Sequence, residues 1–144
     1  MPININKIAS HPWTRRSYDL GGLQLRVLVV DDNHNAAEAM AAYLSFENMT
    51  CRVAFGGLEA ITIGTGWAPH VILMDISMPE CNGYEATSAL RQDRRTSEII
   101  ILAYTALNDD TELRRHIDDH SFDGYCQKGQ SPNKLLGLVA SFIL

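Results

Sequence analysis

Four predicted strands in the sequence each end on an ionisable or hydroxyl side chain. These strands end at Asp31 and Asp32, at Asp75, at Thr105 and at Lys128. Each residue alone fits an ordinary structural role, such as closing the loop after a strand. Their recurrence at the same kind of position indicates a shared site, because the carboxyl ends of parallel strands open onto one edge of a sheet.

Three carboxylates, one hydroxyl and one ammonium at a single edge favour a narrow range of chemistry. The carboxylates of Asp31, Asp32 and Asp75 repel one another, and a proton or a cation has to relieve that repulsion. An all-oxygen site with few protein ligands suits Mg²⁺, which keeps several waters and shares its coordination with phosphate. Lys128 would offer a positive charge, and Thr105 a hydrogen bond, to an incoming phosphoryl group. The group therefore predicts phosphoryl transfer to Asp75 through an aspartyl phosphate.

The apolar runs have the length and composition of strands that are buried on both faces of a parallel sheet. Between them, apolar residues at three- and four-residue spacing predict helices. Alternation of the two predicts an α/β fold, a doubly wound five-stranded parallel sheet with helices on both faces. The predicted strands are residues 25–30, 51–55, 71–74, 99–104 and 122–127.

Five helices are predicted between and after these strands. Asn33 is expected to cap the first helix and Ser131 the fifth. The second helix is expected to end early, because Gly64 and Gly66 interrupt it. The third and fourth helices are predicted at residues 84–91 and after a cap at Asn108.

Composition limits the class of protein. A chain of 144 residues is about one domain. A net charge of −5 argues against a direct nucleic-acid or membrane surface. No apolar stretch approaches the roughly 18 to 20 residues that span a bilayer, and residues 1–24 lack the apolar core of a signal peptide. These features predict a cytoplasmic protein.

Three weaker metal or cofactor signals are rejected. Cys51, Cys81 and Cys126 have no paired spacing, which predicts reduced thiols rather than zinc. The segment 64–66, Gly-Thr-Gly, is half of a dinucleotide-binding motif and follows a helix instead of a strand. The pair His116 and His120 has metal-ligand spacing, but neighbouring acids and the lack of a third ligand favour a solvated helix face.

Residues 1–24 have poor periodicity and end at a glycine pair. We predict a flexible or loosely docked extension, followed by a single domain at residues 25–144. The alternative is a partner-binding arm that is anchored by Trp13.

Residues 25–144 resemble a response-regulator receiver domain, the phosphoacceptor half of two-component signalling. The resemblance rests on the acid pair after the first strand, on Asp-x-x-Met-Pro with Gly83 eight residues after Asp75, on Thr-Ala after the fourth strand, and on the lysine after the fifth. It implies the flavodoxin-like strand order 2-1-3-4-5. The chain departs from the family in having Gly129 where proline usually follows the lysine.

The resemblance also implies a role for each site residue. Asp75 would be the phosphoacceptor, and Lys128 would pair with the phosphoryl oxygens. Thr105 and Tyr125 would form the conformational switch. The implied Mg²⁺ ligands are Asp31, Asp32, Asp75 and the backbone carbonyl of Ser77.

The expected function is a signalling switch and not an enzyme with a separate substrate, although slow loss of phosphate from Asp75 is expected. The expected partners are a histidine kinase or histidine phosphotransfer protein, a downstream protein, and a second copy through the face between the predicted fourth and fifth helices. One alternative is a pseudo-receiver that binds partners without phosphorylation, which Gly129 supports. A second is an aspartyl-phosphate phosphatase, which the lack of a cap domain and of a second catalytic acid disfavours. The stretch 30–33 is similar to receivers fused to hybrid kinases, whereas the starting methionine favours a free-standing protein.

Overall fold

Five parallel strands form the sheet on which the predicted site depends. The computed structural model describes residues 12–106 and 121–144. Neighbouring strands pair in the order β2-β1-β3-β4-β5, all parallel, which confirms the predicted fold class and strand order. The strands are β1 (Arg26–Val30), β2 (Thr50–Ala54), β3 (Val71–Met74), β4 (Ile100–Thr105) and β5 (Gly124–Gln127).

Four helices cover the two faces of the sheet in the described part of the chain. They are α1 (His34–Phe46), α2 (Gly57–Trp67), α3 (Gly83–Gln92) and α4 (Pro132–Ala140). Helix α4 is the helix predicted as the fifth, because the predicted fourth helix, with Asn108, His116 and His120, falls outside the described residues. Across residues 12–106 and 121–144, no helix combines the length and apolar character needed to cross a bilayer.

The sheet separates two apolar cores. Strand side chains alternate between the faces, so that Val27 and Leu28 enter different cores although they are neighbours in β1. One core contains Leu90 of α3, and the other contains Leu44 of α1 and Leu135 of α4. Burial on both faces explains why these strands read as continuous apolar runs instead of alternating ones.

The caps agree with the sequence at one helix and differ at another. Asn33 accepts a hydrogen bond from the amide of Ala36 at 3.0 Å and so caps α1 as predicted. Ser131 occupies the N-cap position of α4, but its side chain makes no capping bond within the described residues, so the prediction of a side-chain cap is wrong. Pro132 follows it at the start of the helix, where its fixed φ favours helix initiation without such a bond.

Helix α2 does not end early, which corrects the sequence prediction. It continues through Gly64 and Gly66 to Trp67 and ends where Ala68 takes a left-handed conformation with φ 54°. Gly64 is buried, and a Cβ atom there would lie 3.1 Å from Cδ2 of Leu90 in α3. Close packing of α2 against α3 therefore favours glycine at this position and outweighs its poor helix propensity.

Residues 12–20 lie against the domain. Pro12 forms an antiparallel bridge with Gly124 of β5, and Tyr18 forms a parallel bridge with Ile143 after α4. Residues 1–11 of the predicted extension are outside the described part of the chain. The domain boundary at residues 24 and 25 stays a prediction.

Two glycines give a matched test of this packing. Gly66 is exposed within α2, with no described atom within 4 Å of an added Cβ, so Gly66→Ala should raise the free energy of unfolding by about 0.5–1 kcal/mol. A Cβ on Gly83 would lie 2.3 Å from the carbonyl oxygen of Asp75, so Gly83→Ala should lower the free energy of unfolding by about 1–3 kcal/mol. Urea unfolding measures both. Destabilisation by Gly66→Ala would contradict the continuous helix.

Candidate functional site

Three carboxylates meet at the carboxyl edge of the sheet. Asp31 directly follows β1 and Asp75 directly follows β3, and the preceding residues of these adjacent strands are partners in the register. Carboxylate oxygens of Asp31, Asp32 and Asp75 lie within 4.8 Å of one another. Asp31 and Asp75 are only 5% and 7% exposed, whereas Asp32 faces solvent. The structure therefore brings together the acids that the sequence placed at this edge.

Lys128 bridges the two buried acids. It directly follows β5, and its Nζ donates to Oδ2 of Asp31 at 2.5 Å and to Oδ2 of Asp75 at 3.2 Å. The same ammonium lies 5.8 Å from the centre of the Tyr104 ring, within the range of a cation–π interaction. The Lys128 side chain remains 25% exposed, so a ligand can approach it from solvent.

Gly129 gives the loop after Lys128 a conformation that proline cannot take. Its φ is 86°, whereas the proline ring fixes φ near −65°. The loop still lets Lys128 reach both buried carboxylates. The departure from the family pattern therefore changes the backbone of this loop without removing the lysine from the acids.

Burial sets the protonation behaviour of the cluster. Removal from water raises the pKa of Asp75 above its ordinary value; the charge of Asp31 adds to the rise, and Lys128 opposes it. Burial alone would lower the pKa of Lys128, but hydrogen bonding to Asp31 and the charge of Asp75 outweigh it, and the net pKa is raised. The ammonium is thus held charged, while it does not fully compensate the carboxylates.

The loop after Asp75 folds back tightly over the end of β3. The amide of Gly83 donates to the carbonyl of Ile76 at 2.9 Å, and a Cβ on Gly83 would overlap the Asp75 carbonyl. Asn82 and Glu85 form a reciprocal capping box that fixes the start of α3. Close backbone approach explains the glycine eight residues after Asp75. Ser77 lies in this loop and is exposed.

The two predicted switch residues lie on neighbouring strands. Thr105 is the last residue of β4 and pairs with Gln127, the last residue of β5. Tyr125 pairs with Ala103, is 1% exposed and stacks on Trp13 with ring centres 6.2 Å apart. The described geometry thus gives Thr105 a backbone position at the site edge and places the Tyr125 ring in the core.

Sequence reasoning missed a buried carboxylate at the other end of β5. Asp123 is fully buried and accepts hydrogen bonds from Arg91 Nη2 at 2.7 Å, Arg16 Nε at 2.9 Å, Thr14 Oγ1 at 2.6 Å and the Ile101 amide at 2.8 Å. An acid inside an otherwise apolar predicted strand was the available signal, since a buried charge requires partners.

The raised pKa of Asp75 makes stability depend on pH. As the pH rises, the unfolded chain loses this proton first, and ionising the buried carboxyl then costs the folded state free energy. This cost is absent below the pKa of Asp75 in the unfolded chain, about 3.9. It reaches its full size above the raised pKa of Asp75 in the folded chain. Asp75→Asn should therefore stabilise the chain at pH 7, and the gain should disappear as the pH falls towards about 4.

Urea unfolding in a metal chelator at several pH values measures this gain. Asp32→Asn is the matched control, because that carboxylate is exposed and its replacement should change stability less. A gain for Asp75→Asn that grows as the pH is lowered would contradict the electrostatic account.

Comparison with known proteins places this geometry in a family. The response regulator receiver domain model matches residues 27–140. A probable transcriptional regulator, ycf29 of Pyropia yezoensis, is 26% identical over 121 residues, which cover 84% of this chain and 54% of the relative. Protein PilH of Pseudomonas aeruginosa is 32% identical over 87 residues, covering 60% of this chain and 72% of the relative.

A solved structure shares the fold. Chemotaxis protein CheY4 of Vibrio cholerae superposes with a TM-score of 0.77 at 22% identity, covering 83% of this chain and 99% of that one. The chain spans about half the length of the first of the two relatives. The family match over residues 27–140, together with the acid cluster at the carboxyl edge of the sheet, shows that this chain belongs to the response regulator receiver domain family.

Proposed function

We propose that this receiver domain is a phosphoacceptor switch in which Asp75 takes a phosphoryl group. The observation that carries the proposal is the buried Asp75 carboxylate with the Lys128 ammonium 3.2 Å away and two further acids within reach. A carboxylate that is desolvated and only partly compensated is poised to react with an electrophile whose charge Lys128 can neutralise. Positioning and charge neutralisation are most of what phosphoryl transfer requires.

The donor set fits Mg²⁺. All the offered atoms are carboxylate oxygens, the ligands that Mg²⁺ prefers, and three carboxylates with one ammonium leave a negative charge for a cation to balance. Asp31, Asp32 and Asp75 would hold the ion, and the backbone carbonyl of Ser77 would be a further ligand. When bound, Mg²⁺ supplies charge neutralisation for the phosphoryl oxygens.

The transfer itself uses the side chains of this chain. An oxygen of Asp75 attacks phosphorus, a phosphorus–oxygen bond forms, and the phosphorus–nitrogen bond of a donor phosphohistidine breaks with its electron pair moving to the histidine. Lys128 holds the phosphoryl oxygens as the charge redistributes. The product is an aspartyl phosphate, which water hydrolyses slowly.

Phosphorylation adds a charge of about −1.5 to −2 to the crevice. Lys128 and Thr105 bind the new oxygens, and Tyr125, whose ring is already buried, repacks within the core as β5 shifts, so that the surface around β5 changes. A partner that binds one of the two surface states more tightly can thereby distinguish the phosphorylated from the unphosphorylated domain.

Receiver domains are typically non-enzymatic signalling modules that interact with histidine kinases and downstream effectors. For this chain the proposed donor is a histidine kinase or histidine phosphotransfer protein in the cytoplasm, and the proposed output is a downstream protein rather than nucleic acid or membrane. A homodimer through the face between the predicted fourth and fifth helices is a further proposed contact. The fourth helix of that face is outside the described residues.

The phosphoacceptor is tested by intact mass. Incubation with Mg²⁺ and acetyl phosphate should add one phosphoryl group to the wild-type chain, because Asp75 is the buried nucleophile beside Lys128. Asp75→Asn should gain none, and neither should the wild type with excess chelator.

Asp32→Asn distinguishes acceptor from metal ligand in the same assay: its adduct should form more slowly but still map to Asp75. A wild-type chain without an adduct, and without response to beryllofluoride, would refute the phosphoacceptor and favour the pseudo-receiver.

Metal binding is tested by stability. Saturating Mg²⁺, at about 100 times its dissociation constant, should raise the free energy of unfolding by about 2.7 kcal/mol. Asp32→Asn should lose most of this gain. Glu47→Gln, an exposed acid at the opposite end of α1, should keep it. Equal gains in the two variants would place the bound ion elsewhere.

A further inference from the structure

Backbone hydrogen bonds hold the segment before the first strand against the start of β5. We call residues 12–18 the N-terminal arm. The amide of Trp13 donates to the carbonyl of Asp123 at 2.7 Å, and Pro12 bridges Gly124. At the other end of the arm, the amide of Tyr18 donates to the carbonyl of Phe142 at 2.8 Å. The arm therefore covers the start of the edge strand.

Charged side chains fasten the same arm. Arg16 donates from Nε to buried Asp123 at 2.9 Å and from Nη1 to Glu98 at 2.8 Å. Thr14 donates to the same Asp123 carboxylate at 2.6 Å. A hydrogen bond to a buried charge is worth more than an ordinary one, so these contacts are a substantial part of docking.

Strand β5 connects the arm to the phosphorylation site. Its four residues begin directly after Asp123, which the arm binds, and end directly before Lys128, which binds Asp31 and Asp75. Between these ends, Tyr125 stacks on Trp13. A displacement of Lys128 or of the Tyr125 ring is thus transmitted to the arm within one short strand.

From this arrangement we infer that the N-terminal arm is a latch: its docking opposes phosphorylation of Asp75, and phosphorylation releases it. The inference rests on the proposed function. Attraction of Lys128 to phosphoryl oxygens shifts the end of β5 and, with it, the Tyr125 ring on which Trp13 stacks. The arm therefore docks on the unphosphorylated form and is released from the phosphorylated form, which uncovers the edge of β5. By thermodynamic reciprocity, a docked arm must also disfavour phosphorylation.

Amide hydrogen exchange on the full chain tests release. The phosphoryl mimic beryllofluoride with Mg²⁺ should speed exchange at the amides of Trp13 and Tyr18 by about tenfold or more, while exchange in β1 stays unchanged. In Asp75→Asn the same addition should change nothing. A second readout uses Trp67→Phe, which leaves Trp13 as the sole tryptophan, so that its fluorescence reports loss of the Tyr125 stack.

Two neighbouring arginines give a matched pair for the reciprocal effect. Arg16→Ala removes the contacts with Asp123 and Glu98. Arg15→Ala removes the same charge from an exposed side chain that makes no hydrogen bond or ion pair with the described residues. The dissociation constant for beryllofluoride in the presence of Mg²⁺ should be about fivefold lower in Arg16→Ala than in the wild type, and unchanged in Arg15→Ala. A purely structural arm would leave this constant unchanged or raise it.

The outcomes separate the latch from the proposed function. An adduct on Asp75 with unchanged exchange at Trp13 and Tyr18 would overturn the latch and leave the phosphoacceptor in place. Weaker beryllofluoride binding by a folded Arg16→Ala would also overturn it, because the docked arm would then favour the phosphorylated form. No adduct and no beryllofluoride response would overturn both. Should Arg16→Ala fail to fold, the exchange measurement on the wild type decides.

Discussion

The structure depends on the incomplete neutralisation of charge at the carboxyl edge of the sheet. Asp31 and Asp75 are both buried and share a single ammonium, that of Lys128. Burying carboxylates is costly unless they are paired, and one lysine cannot fully pair two of them. The parallel register fixes the acids side by side, and the loop closed by Gly83 packs against the backbone of Asp75. The remaining negative charge is of the sign that a bound cation would balance.

A charged cluster lies at each end of β5, and the two differ in how completely their carboxylates are paired. Around Asp123 the charge is satisfied by Arg91, Arg16, a hydroxyl and a backbone amide, as expected for a structural cluster. Around Asp75 the cluster lacks sufficient positive charge and remains partly open to solvent. A strand of four residues between a complete cluster and an incomplete one is short enough for a change at one end to affect the other.

Features set by local pattern were predictable, and those set by distant partners were not. The alternation of strand and helix patterns predicted every strand, and the same pattern placed the acids that follow β1 and β3 at one edge of the sheet. The early end of α2 was wrong because packing of Gly64 against Leu90, a contact between helices, outweighed the intrinsic preference of glycine. The Asp123 cluster was missed because its arginines lie 32 and 107 residues away along the chain. No local periodicity contains that information.

Gly129 has a consequence for attempts to improve the protein. Replacing an unusual residue with the one that relatives prefer is a common route to higher stability. Here the familiar proline would require a φ near −65° where the chain has 86°. The substitution would therefore fail unless the peptide units on either side changed together with it. Family preference is a poor guide at this position, because the backbone has adopted an arrangement that no single replacement can convert into the common one.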